Sequence, residues 1–282
     1  MIKGVTKAGL GNVGTIEQYI ASASRYGFGA VDCSGKELED WIAQEGLEHA
    51  SSYLQEHQVR IGTIGLSAEW RQSEDKFREG LTRLTQDAAA AAALGCQSCT
   101  TYILPSTDSN AAHFMALATR RLRVCADILE AYGIRLGLEF VGPHHLRSKW
   151  ANPFIWDMSS TLDWIDTINK GNVGLLFDAY HWYTISGTKE DILKLNASQI
   201  VHAHINDAKA VPISEVLDND RLYPGEGVIP LTDFLQGLQA IGYKGVISQE
   251  ILMPQPVTAP AEELFAKSQL AFQKVYAAAG LE

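Results

Sequence analysis

The sequence predicts an α/β chain folded as a single (β/α)8 TIM barrel. Three observations lead there. Eight short β-type runs alternate with longer amphipathic stretches along the whole chain. The length of 282 residues suits one such barrel, which takes about 250. No linker, low-complexity tract or composition break divides the chain, so residues 1–282 read as one domain.

The β runs fall at residues 3–7, 30–34, 60–66, 98–104, 135–141, 173–180, 200–207 and 245–252. Between them, Thr15 opens a helix over 15–26, and amphipathic helices are expected over 37–57 and 73–94. The Ala-rich block 88–93 suits a helix lying close against the barrel. Further helices follow at 110–132, 160–168, 189–195, 231–241 and 261–279. Three stop at glycine, namely Gly95, Gly133 and Gly242, the residue that accepts the left-handed turn past a helix end. An open doubly wound sheet is the alternative. Gly9, Gly11 and Gly14 have the G-x-G-x-x-G spacing it would use. However, no acidic residue closes a second strand about 20 positions on; Asp32 lies within an apolar stretch, so no dinucleotide site is expected.

Hydrophobic residues make up 46% of the chain and charged residues 20%, enough to bury a full core. No apolar run reaches the roughly 18 residues of a membrane span, and the first residues lack the apolar block of a signal peptide. A cytoplasmic location with no membrane partner is expected. The net charge of −10 would repel a phosphate backbone, so no nucleic-acid partner is expected either. A homo-oligomer stays open. Cys96 and Cys99 form a C-x-x-C that follows a helix and enters a strand, which suits small buried apolar residues rather than a redox or zinc pair.

Reactive groups of such barrels stand at the C-terminal ends of the strands. Toward the C-terminal ends of the fifth, sixth, seventh and eighth runs stand Glu139, Asp178, His204 and Glu250. Any one of these alone reads as a cap or a satisfied polar residue. Four at consecutive strand ends differ, because crowding three carboxylates costs several kcal/mol unless a cation neutralises them. One divalent cation accounts for the set. Oxygen ligands with one nitrogen and no thiolate favour Mn²⁺ first, with Mg²⁺, Co²⁺ or Zn²⁺ as alternatives.

His202 shares a strand face with His204 by period two, one layer deeper, and reads as a supporting residue. His181, three residues past Asp178, reads as a contact to a substrate hydroxyl or as an ordinary loop histidine. The stretch 143–158 carries His144, His145, Arg147, Trp150, Phe154 and Trp156. It reads either as a substrate-contacting loop, through His145 and Arg147, or as a loop packed on itself.

At these positions the chain resembles the xylose-isomerase-like TIM-barrel superfamily of sugar isomerases and epimerases. The resemblance rests on Gly137-Leu-Glu139-Phe, Leu-Phe-Asp178-Ala-Tyr-His181, Val-His202-Ala-His204-Ile-Asn-Asp207, Pro224-Gly225-Glu226-Gly227 and Ser-Gln-Glu250. It implies Glu139, Asp178, His204 and Glu250 as metal ligands, Glu139 and Glu250 as the proton-transfer pair, and His181 as a substrate-binding residue. Where ketose 3-epimerases carry a second Glu, this chain has His145. Where they carry an Arg six positions past the metal histidine, it has Ala210, with Lys209 beside it as the substitute substrate contact. Zinc AP endonucleases share the core ligands, but their D-x-H is replaced here by Asn219-Asp220-Arg221.

The resemblance therefore implies a divalent-metal-dependent isomerase or epimerase acting on a ketose, aldose or keto-sugar through a metal-stabilised enediolate. The substrate would be a small sugar or a polyol-derived molecule. The chain is also similar to inosose dehydratases, so a lyase is the alternative. An AP-endonuclease-like phosphodiesterase and a non-catalytic sugar-binding barrel stand behind these two.

Overall fold

The structure, a computed structural model, describes residues 1–281. Eight parallel strands close into a barrel: β1 (Ile2–Val5), β2 (Ala30–Cys33), β3 (Arg60–Gly65), β4 (Ser98–Ile103), β5 (Arg135–Phe140), β6 (Val173–Asp178), β7 (Ile200–Ile205) and β8 (Val246–Gln249). Each pairs with its chain neighbours, and β1 closes on β8. Every residue of β6 and β7 is buried. Helices cover one side of these strands and the barrel interior the other, so β6 runs apolar up to Asp178, while β7 interrupts its apolar run with His202 and His204.

The register carries Asp178 of β6 level with His204 of β7, and His204 level with Ser248 of β8. Three strand ends thereby reach the same height at the barrel mouth. Glu250 follows β8 by one residue, its N–H held by the carbonyl of Ile205 at 3.1 Å.

Several elements depart from the sequence reading. The helix expected over 37–57 is two helices, Gly35–Glu45 and Leu47–Glu56, broken at Gly46, whose φ of 89° no helix interior accepts. The run 173–180 stops at Asp178, because the Asp178 carboxylate accepts the N–H of Tyr180 and starts the short helix Ala179–Thr184. That helix is anchored aromatically. Phe234 stacks on Phe177 at 5.2 Å between centroids and meets Trp182 at 5.5 Å. Each such pair contributes about 0.5–1.5 kcal/mol beyond its burial, and together they fix the helix that carries His181. The stretch 143–158 holds a turn of helix, His144–Arg147, and a two-residue strand that pairs with Ser106–Thr107.

All four cysteines are buried and free. Burial pushes the Cys96 thiol up to about 12, in keeping with an apolar filling role for the C-x-x-C. Among the described residues, no helix is long and apolar enough to cross a membrane.

Candidate metal centre

Glu139, Asp178, His204 and Glu250 each offer one ligand atom, and the four atoms lie within 4.8 Å of one another. Nδ1 of His204 stands 3.4 Å from Oε2 of Glu250, 3.6 Å from Oε1 of Glu139 and 4.0 Å from Oδ2 of Asp178. Asp178, His204 and Glu139 are buried, while Glu250 keeps a fifth of its side chain exposed and forms the edge toward solvent.

Two of the four atoms, Oε1 of Glu139 and Nδ1 of His204, are buried without a hydrogen-bond partner. Such atoms are costly unless something else satisfies them. Three carboxylates and one imidazole converging on a common point, with two atoms left unpaired, fit a divalent cation that prefers oxygen and nitrogen donors.

The electrostatics separate the two glutamates. Burial raises the Glu139 carboxyl above its usual range, outweighing the neighbouring imidazoles. Burial would raise Glu250 too, but His204 and Arg221 hold it well below the usual range. Burial opposes charge on His204, yet Glu250, Asp32 and Glu139 together raise its imidazole well above the ordinary value.

A guanidinium also sits in the cluster. Arg221 is buried; its Nη1 donates to Oδ2 of Asp178 at 2.8 Å and to Oε2 of Glu250 at 2.7 Å. Its Nη2 donates to Oδ1 of Asp218 at 2.9 Å, and its plane lies 4.8 Å from the ring of Tyr180. Asp178 is further held by the amide of Asn206, 3.0 Å from its Oδ1. Position 221 is reached through a short antiparallel bridge, Ala208 opposite Arg221 and Asp207 opposite Leu222. The Asp207 carboxylate accepts the N–H groups of Ala208, Gly225, Gly227 and Ile229, which folds the Pro-Gly-Glu-Gly turn back onto β7.

The xylose isomerase-like TIM-barrel family model matches residues 20–275. The chain belongs to that family. Over 99% of its length it superposes on a xylose isomerase domain protein from Alicyclobacillus acidocaldarius, covering 99% of that chain with a TM-score of 0.90 and 31% identity. An inosose isomerase of Bacillus licheniformis is 36% identical over 138 residues, 49% of this chain and 47% of the relative. The chain thus spans about half the length of the curated relatives it matches. The IOLI protein, solved with a zinc atom, shares the fold at TM-score 0.82 and 21% identity over 99% of both chains.

Within this xylose isomerase-like barrel, His181 lies beside the cluster. Its Nδ1 accepts the N–H of Gly142 at 3.3 Å, and its Nε2 stands 3.4 Å from Nη2 of Arg221, 4.0 Å from Oε1 of Glu139 and 3.9 Å from Oδ1 of Asp218. Three other expected contacts are not brought in. His145 is exposed. Arg147 spends its guanidinium on the carbonyls of Gly142 and Thr184, at 2.8 and 3.0 Å, as a staple of the loop. Lys209 is half-exposed and paired with Asp220 at 2.6 Å.

Arg221, Asn206, Asp218 and Asp32 belong to the surroundings of the cluster and escaped the sequence reading. Position 210 is Ala, and the guanidinium that does reach the cluster comes eleven residues later, from Arg221. Asp32, read as part of an apolar stretch, has its carboxylate inside the barrel, 3.0 Å from Nε2 of His202. Burial would raise it, but the two imidazoles hold it down to about 2.

Proposed function

We propose that this chain is a divalent-metal-dependent isomerase or epimerase that moves a proton beside the carbonyl of a ketose, keto-sugar or inosose. Residues 1–282 act as one catalytic domain. The observation that carries the reading is the pair of buried, unpaired atoms, Glu139 Oε1 and His204 Nδ1, facing Asp178 and Glu250. The name of the matched inosose isomerase supports the substrate class.

Glu139, Asp178, His204 and Glu250 would hold the ion, with manganese first in preference and zinc as the ion of one structural relative. When bound, the ion withdraws charge from the substrate's carbonyl and neighbouring hydroxyl oxygens, acidifying the adjacent C–H by several kcal/mol. Glu139 and Glu250 come from β5 and the end of β8, with Asp178 and His204 between them. One carboxylate takes the carbon-bound proton and the other returns one from the opposite face. The imidazole of His181 and the guanidinium of Arg221 meet beside the cluster, 3.4 Å apart, and are suited to grip substrate oxygens.

The test is incubation of the metal-loaded chain with ketoses, inososes and keto-glycosides in D₂O, followed by proton NMR. The expected result is solvent exchange at one carbon together with an isomer or epimer. A product short of one water would assign a lyase instead. No exchange with any member would remove the proton-transfer reading.

A further inference from the structure

We propose that Asp32 positions His204: it accepts the Nε2–H of that imidazole and so leaves Nδ1 as the lone-pair nitrogen facing Glu139, Asp178 and Glu250. The inference rests on the metal reading given above and adds a residue to it. β2 and β7 are not neighbours in the barrel, so Asp32 meets the histidines across the interior. Its Oδ2 lies 3.0 Å from Nε2 of His202 and 3.8 Å from Nε2 of His204. Its Oδ1 is buried and unpaired. The two imidazoles stand at 89° to one another with centroids 5.3 Å apart, and one carboxylate is shared between their Nε2 atoms.

Space for that carboxylate is kept open on β3. A Cβ on Gly62 would lie 2.3 Å from Oδ1 of Asp32, so a side chain there and the acid could not coexist. His202 holds Oδ2 of Asp32, and the same oxygen faces Nε2 of His204 at 3.8 Å; contacts of this kind are often long in an unloaded site and tighten on loading. A ligating histidine commonly passes its other N–H to a carboxylate, which fixes the tautomer and the ring plane and strengthens the nitrogen as a ligand. Asp32 meets the two histidines and is not grouped with the three carboxylates, so it acts through the imidazole and not on the substrate.

The experiment uses the full chain labelled with ¹⁵N-histidine and loaded with Zn²⁺. Long-range ¹H–¹⁵N spectra should show His204 bound through Nδ1, with a downfield, exchange-protected proton on Nε2. Asp32→Asn should lose that downfield signal and weaken Zn²⁺ binding by about 10–100-fold while keeping a stoichiometry of one. Unchanged affinity and an unchanged His204 signal in Asp32→Asn would overturn the role. So would a wild-type stoichiometry of two that falls to one in the variant, since Asp32, His202 and His204 would then hold an ion of their own. Should Asp32→Asn fail to fold, the wild-type spectrum decides alone, because a proton on Nδ1 and metal on Nε2 contradict the proposal. A wild-type chain that binds no zinc, with His204→Ala indistinguishable from it, would overturn the metal reading itself.

Discussion

Nδ1 of His204 and Oε1 of Glu139 face each other across 3.6 Å, both buried and neither with a hydrogen-bond partner. A cation would satisfy the carboxylate and the imidazole lone pair together, the reading proposed above. Removing divalent ions with a chelator should therefore lower the melting temperature. Mn²⁺ or Zn²⁺ at 100-fold over its Kd should restore it, by about 5–10 °C for a chain of this size. Differential scanning fluorimetry measures the shift. His204→Ala should abolish the ion-dependent part, and a melting temperature indifferent to every divalent ion would count against the centre.

Arg221 neutralises Asp178 and Glu250 from the other side. Arg221→Met would leave the fully buried Asp178 without its cation, a loss of about 3–5 kcal/mol in urea unfolding of the ion-free chain. Saturating Mn²⁺ should recover part of that loss, because it supplies positive charge to the same carboxylates. Equal destabilisation with and without the ion would show that Arg221 and the ion site are independent.

Glu139→Gln and Glu250→Gln should each lower turnover by about 10²–10⁴-fold while retaining part of the ion affinity. Deuterium uptake separates their roles. The variant lacking the abstracting base should show none, whereas the other exchanges without forming product. Near wild-type turnover in both would leave His181 as the candidate base.

The loops after β5 and β7 give a contrast. His145→Ala and Lys209→Ala should leave KM within roughly twofold, since both side chains stand outside the cluster. Arg147→Ala removes two bonds to backbone carbonyls and should lower stability by about 1–2 kcal/mol. Steady-state kinetics and urea unfolding separate the two outcomes.

The cysteines supply a pH test. Burial raises all four thiols, Cys96 and Cys125 to about 12. At pH 8 a thiol of that pKa is about one part in 10⁴ thiolate, and alkylation needs the thiolate. Iodoacetamide should leave the folded chain unlabelled from pH 7 to 9 and modify all four cysteines in urea, where the pKa returns to about 8.5. Rapid labelling of Cys96 in the folded chain would restore a reactive reading of the C-x-x-C.

The barrel and the four strand-end residues were legible because both follow local rules. Parallel strands buried on both faces print continuous apolar runs, and the ends of those runs are where a barrel aims its side chains. Arg221 was not legible by spacing. It reaches the site through a separate antiparallel bridge, and nothing in residues 209–220 reveals how far that loop travels. Asp32 was hidden for another reason: a carboxylate inside an apolar strand looks like an interruption until its partners, 170 residues away, are seen beside it. The break at Gly46 lay within an amphipathic pattern that continues on both sides, so periodicity alone ran the two helices together.

Asp207 binds four backbone N–H groups and thereby closes the chain on both sides of residues 209–220. The base of that excursion is clamped whatever its length, so the excursion behaves as an interchangeable cassette. Asp218 is the exception, because its carboxylate and its carbonyl both hold Arg221, so a spliced segment keeps the guanidinium in place only if it keeps Asp218. A barrel built this way can change one surface segment and leave its strand ends untouched.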